Sequence, residues 1–98
     1  MIKVFKTIGG EELISECTPV SGVGYTLSDP AVIMIQQTDK GMGVGLAPYM
    51  PYSSGKITLR EAAIASEGVP EEKMENEYRR LFGSGIMIAS SSLLQESR

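Results

Sequence analysis

Histidine is absent from this 98-residue chain, and cysteine occurs once, at Cys17. The first absence removes the commonest general base, the commonest transition-metal ligand and the usual activator of a nucleophilic serine or cysteine. The second leaves no intramolecular disulfide and no cysteine-based metal site. No apolar run approaches the roughly 20 residues of a membrane helix. The opening residues, Met1-Ile2-Lys3-Val4-Phe5-Lys6, lack the apolar core of a secretory signal, so the chain is expected to stay in the cytoplasm. Basic charge is also scarce. A formal net charge of −3 argues against a cationic coat for nucleic acid, although a few well-placed arginines would still make a local site. With no coherent catalytic set, the chain is not expected to be an enzyme, and no cofactor is implied.

What remains is a globular composition, 42% hydrophobic and 21% charged, at the length of one domain. A core this small is marginal, and self-association is a common remedy. Residues 2–8 alternate, with Ile2 and Val4 on one face and Lys3 and Phe5 on the other. Gly9-Gly10 then separates them from a second strand at 13–18, the sequence form of a β-hairpin. Pro19 and residues 21–24 read as a loop, and 25–27 as a short extended piece punctuated by Ser28-Asp29-Pro30. Residues 31–37 are apolar at odd and even positions alike through Ile35. That pattern suits a strand covered on both faces; periodicity alone also fits a buried helix, but the run is too short for one.

Residues 38–41 form a turn. Gly43-Val44-Gly45-Leu46-Ala47 alternates small and branched side chains, as where another backbone lies close to the small face. Pro48 and Pro51 bracket a bend, and 53–55 turn the chain into a further extended stretch at 56–66. The Glu61-Ala62-Ala63 centre of that stretch tolerates a helical turn. Pro70 and Glu71-Glu72 then open a helix over about 70–83 with an apolar face of Met74, Tyr78, Leu81 and Phe82. Glu75 and Arg79 form a favourable i,i+4 pair, and Gly83 is placed to cap the end. Residues 86–88 have the composition of a last short strand, and the rest, within 84–98, is a polar tail.

The candidate chemistry is thin. Gly41-Met42-Gly43-Val44-Gly45 is not a phosphate loop, since neither G-x-G-x-x-G nor G-K-[ST] is present. Glu11-Glu12 reads as a solvated turn, and Cys17 as a small buried hydrophobe. Tyr49, Tyr52 and Tyr25 are candidate stacking platforms for bases. Arg60, between Leu59 and Glu61, is the most distinctive lone charge; its plain alternative is an outward strand residue paired with a carboxylate.

Taken together, the segments describe a mainly β chain, a small, strongly bent open barrel of five strands over about 1–69 followed by a C-terminal helix. Here the sequence resembles the Sm-like family, most closely the compact Sm-like proteins of marine tailed phages. The residues that carry the resemblance are 2–7 running into 10–16, then 27–33, 46–53, and Tyr78 with Leu81-Phe82-Gly83. Ile57-Thr58-Leu59-Arg60 through Ile64 is similar to the second family motif, with Arg60 at its arginine place. Glu61 stands where glycine is usual, and the Asp-x-apolar-Asn element of the first motif is missing. The resemblance implies a ring of identical subunits joined by edge strands, in host cytoplasm if phage-encoded. It implies single-stranded RNA as ligand, with Arg60, Tyr49 and Tyr52 as the candidate contacts. The rival expectation is a ring that has lost its base pocket and holds phage or host proteins.

Overall fold

A computed structural model describes residues 1–82. It is mainly β, a six-stranded antiparallel sheet followed by one helix. The strands are β1 (Ile2–Thr7), β2 (Glu12–Val20), β3 (Gly24–Thr38), β4 (Gly41–Pro48), β5 (Ile57–Arg60) and β6 (Ile64–Gly68); α1 spans Glu72–Phe82. Their order is β4-β3-β2-β1-β6, with β5 pairing the first part of β3. A 3-10 turn at Glu61–Ala63 carries the chain from β5 to β6. Six strands thus replace the expected five, because the stretch at 56–66 breaks at the centre that tolerated a helical turn. The stretch expected at 86–88, Gly83 and the tail lie outside the described residues.

The largest departure from expectation is β3. Ser28-Asp29-Pro30 does not end a strand; it kinks one of 15 residues. Against β2, the register steps from Ala31↔Ile14 to Ser28↔Glu16, so Asp29 and Pro30 together oppose Ser15. This is a bulge, which bends a strand and sharpens its twist. Asp29 takes a left-handed φ of 50°, which its short polar side chain tolerates. The polar groups freed there are stitched locally. Buried Ser15 donates its hydroxyl to the Ser28 carbonyl at 3.0 Å. The Tyr78 hydroxyl accepts from the Glu16 N–H at 3.0 Å and faces the carbonyls of Ser28 and Asp29 at 2.9 and 2.8 Å. The loop expected at 19–24 shrinks in turn, since β2 runs through Pro19 to Val20.

The sheet has apolar residues on both faces. Phe5, Leu13, Cys17, Leu27 and Leu59 form the interior cluster on one of them. Ile2, Ile14 and Ala31 lie on the other face beneath α1, packed with Val4, Ile33, Leu46, Met74, Tyr78 and Phe82. The helix forms where expected, with acidic residues in its first turn and Arg79 and Arg80 in its last. Glu75 and Arg79 pair at 2.9 Å. Leu81 is a correction: it is 44% exposed, so the apolar face reduces to Met74, Tyr78 and Phe82.

Beyond Val32, β3 leaves β2 behind and continues only with β4, paired Ile33↔Leu46 through Thr38↔Gly41. This two-stranded ribbon overturns two expectations. Residues 31–37 are not covered on both faces: Ile35 is 68% exposed and Met34 37%. The small face of β4 does not receive another backbone; a side chain at Gly45 would instead meet the Gln36 carboxamide, 3.1 Å away.

Candidate functional site

Arg60 closes β5 in extended conformation, φ −77° and ψ 145°, immediately before the 3-10 turn. Strand alternation sends Leu59 inward, where it is 5% exposed, and leaves Arg60 on the surface. The position depends on Gly24, which pairs with Arg60 across the β3–β5 ladder. At Gly24 φ is +142°, and a Cβ would lie 2.1 Å from the Leu59 carbonyl oxygen. Only glycine allows so close an approach. The same approach lets the Glu61 N–H donate to the Val23 carbonyl at 2.8 Å, joining the β2–β3 turn to the 3-10 turn. Among the described residues Arg60 has no ion-pair partner. It is therefore outward-facing, as in the plain alternative, but without that alternative's carboxylate.

The two tyrosines lie elsewhere. Tyr49 donates its N–H to the Pro30 carbonyl at 2.8 Å and packs against the interior cluster. It lines a shallow hollow with Pro30, Pro51, Ile57 and Phe82. Ile57 sits at the opposite end of β5 from Arg60, about 10 Å of strand away. Tyr52 is fully exposed on the loop between β4 and β5. The structure thus brings the three candidate RNA contacts into no common hollow.

Tyr25 is already engaged. Its ring tilts against Phe5 with centroids 4.9 Å apart, and Lys3 Nζ stands 5.3 Å from its centroid. Its hydroxyl donates to the Glu67 carboxylate, which also pairs with Lys3. This trio, with Lys3 and Tyr25 half-buried and Glu67 exposed, links β1, β3 and β6. The hydrogen bond from Lys3, then that from Tyr25, holds the Glu67 carboxyl below its ordinary range. The bond to Glu67 raises both Lys3 and the Tyr25 phenol. Beside the trio, the β2–β3 turn and β6 enclose a hollow of about 520 Å³ that includes Ser21, Gly22, Glu61 and Glu67. Its ionisable lining is acidic, and Arg60 is not part of it.

Cys17 is buried in the interior, and burial pushes its thiol up, opposite to the shift a nucleophile needs. Among the described residues no group of three or more carboxylate or thiol side chains could hold a metal ion. No helix among them is long and apolar enough to cross a membrane. No family model matches the chain, and no curated protein matches it.

Two features were not legible from sequence. One is Gly24, which read as a loop glycine because its neighbour Leu59 lies 35 positions away. The other is an apolar groove of about 530 Å³ on the α1 side of the sheet, lined by Val4, Ile33, Ile35, Val44, Met74 and the 66–71 segment. Five separate stretches build it, Glu12 of β2 among them, so no local pattern announces it.

Proposed function

We propose that the protein is a non-catalytic, Sm-like module whose copies pair edge to edge into a closed ring that binds single-stranded RNA through Arg60. The observation that carries this reading is the bare β3–β4 ribbon. Ile35, Met42 and Val44 are 68, 67 and 58% exposed on a strand pair whose β4, among the described residues, pairs with no strand besides β3. Such an edge invites another strand, and apolar residues beside it favour burial. At the other end of the sheet order, β6 has β1 as its only strand neighbour among the described residues. Two different edges give a head-to-tail contact, which closes into a ring when the rotation permits.

A ring also answers the scarcity of positive charge. One guanidinium per copy, free of any carboxylate among the described residues, becomes a girdle of guanidinium groups when copies repeat about an axis. The resemblance to Sm-like proteins supports the same residue. Tyr52, fully exposed, is the stronger of the two stacking candidates, because Tyr49 has one side committed to the interior.

Light scattering on the full chain tests the assembly: a mass of several protomers is expected, and a monomer refutes the ring. Anisotropy with short oligo-U and oligo-A tests the ligand. Affinity should fall as salt rises, and Arg60→Ala should weaken it by about 1–3 kcal/mol, roughly 5- to 150-fold. An assembled ring with no salt-sensitive RNA affinity would overturn the RNA half. It would favour the protein scaffold, a reading that the acidic hollow beside Glu61 and Glu67 supports.

A further inference from the structure

The hollow beside Tyr49 is small, stiff and charged with one sign only. Its volume is about 230 Å³, below the roughly 300–1,000 Å³ of a pocket for a whole small ligand. Pro30, Pro48 and Pro51 line it, and each proline ring fixes its own φ. Asp29 and Met50 line it too. Among the described residues these two alone combine a side chain with a left-handed φ, at 50° and 55°. Such backbone persists only where its surroundings hold it, and it gathers at ligand sites. The bond from the Tyr49 N–H to the Pro30 carbonyl ties one lining segment to the other. The walls draw on both apolar clusters: Tyr49 and Ile57 pack against the interior one, Phe82 against the one beneath α1. No basic side chain lines the hollow. Asp29 supplies its one carboxylate, which is exposed and has no ion-pair partner among the described residues.

We infer that this hollow takes one arginine side chain from an extended segment of a partner protein. The aliphatic stem of an arginine suits Ile57 and Phe82, and its planar head suits a tyrosine face. The same head meets a carboxylate with two parallel N–H donors, which a lysine ammonium cannot do. A nucleobase would find the same rings. Its phosphates, however, would have to approach a hollow whose only formal charge is negative. On the loop that forms one wall, Met50 is 48% exposed and Tyr52 wholly so, a rim suited to apolar neighbours of that arginine. The prolines and the left-handed residues keep the hollow formed before the partner arrives, so little ordering is lost on binding. This contact is separate from the ring and from Arg60, and it needs neither.

A nuclear magnetic resonance titration of the full chain with the blocked tripeptide acetyl-Leu-Arg-Leu-amide tests this. The Tyr49 ring and Ile57 methyl signals should shift and saturate. The same peptide with citrulline for arginine keeps the shape and drops the charge. It should bind about fivefold more weakly, the size of one good exposed ion pair. Asp29→Asn should bring the arginine peptide down to the citrulline level, and asparagine tolerates the left-handed φ of this position. If that variant fails to fold, the two peptides on the parent chain decide alone. Equal affinity for both peptides, shifts confined to the hollow beside Glu61 and Glu67, or no shift at all would overturn the inference. So would a short oligo-U that moves the Tyr49 and Ile57 signals where the arginine peptide does not, an outcome that assigns the hollow to nucleic acid.

Discussion

The buried cluster around Phe5 and the β3–β4 ribbon are built from the same kinds of residue and have opposite fates. Phe5, Leu13 and Leu27 are wholly buried, whereas Ile35, Met42 and Val44 remain mostly exposed. Leu27 and Ile35 lie on the same strand, β3, and between them falls the bulge where Asp29 and Pro30 oppose Ser15. Before the bulge β3 is flanked by β2 and β5; after Val32 it keeps β4 alone. An apolar strand thus marks a core only where the topology supplies a second layer. Where it does not, the same composition marks a surface that is complete only in company.

Truncation on each side of the bulge sharpens that contrast most. Leu27→Ala removes a wholly buried side chain and should cost about 2–5 kcal/mol, read as a lower denaturation midpoint. Ile35→Ala, measured at concentrations where the chain is monomeric, should change stability by less than about 0.5 kcal/mol. A large loss for Ile35→Ala in the monomer would show that the ribbon is packed by the chain's own residues. The division into core and interface would then collapse.

A smaller effect is expected at the boundary itself. Tyr78 reaches from α1 to the bulge, and its hydroxyl satisfies the Glu16 N–H. Tyr78→Phe keeps the ring and its 5.6 Å stacking on Phe82 but leaves that buried contact without an acceptor. A loss of about 1–3 kcal/mol should follow. Hydrogen exchange should accelerate around residues 15, 16, 28 and 29 while the interior strands hold. Uniform acceleration would mean that the tyrosine stabilises the whole sheet and not the point where the ribbon departs.

The same contrast explains what the sequence discloses. Local rules placed the Gly9-Gly10 hairpin turn, the helix with its Glu75–Arg79 pair, and the outward position of Arg60, each written in neighbouring residues. Continuity of β3 escaped, because Asp29-Pro30 ordinarily punctuates a strand. Here the kink is held by Ser15 and by Tyr78, which is 50 positions from Ser28. The bareness of residues 34–37 escaped for a related reason: periodicity records which residues are apolar, not whether a second layer arrives. Arg60, Tyr49 and Tyr52 were each visible as types, but their separation depends on where β5 pairs along β3. Gly24 gave no local sign that it permits a backbone contact.

The gentlest probe concerns the edge strand that the proposed ring must use. Glu67 ties β6 to Lys3 of β1 and to Tyr25 of β3. Its carboxyl is held below the ordinary value of 4.5, chiefly by the hydrogen bond from Lys3 and then by that from Tyr25. A depressed folded-state pKa gives stability that is fully present above the unfolded value and lost as pH falls through the folded one. Lys3 is raised instead, so its share is present below its ordinary 10.5 and fades as pH rises above it. Near neutral pH both contributions stand. Glu67→Gln should therefore lower the melting temperature slightly at pH 7, and the gap from the parent should close below pH 4.5. All three groups lie at the surface, so salt should narrow the gap as well. A gap that persists unchanged at acid pH would mean that Glu67 holds β6 by shape rather than charge, and that acidification leaves this edge as firmly in place as neutrality does.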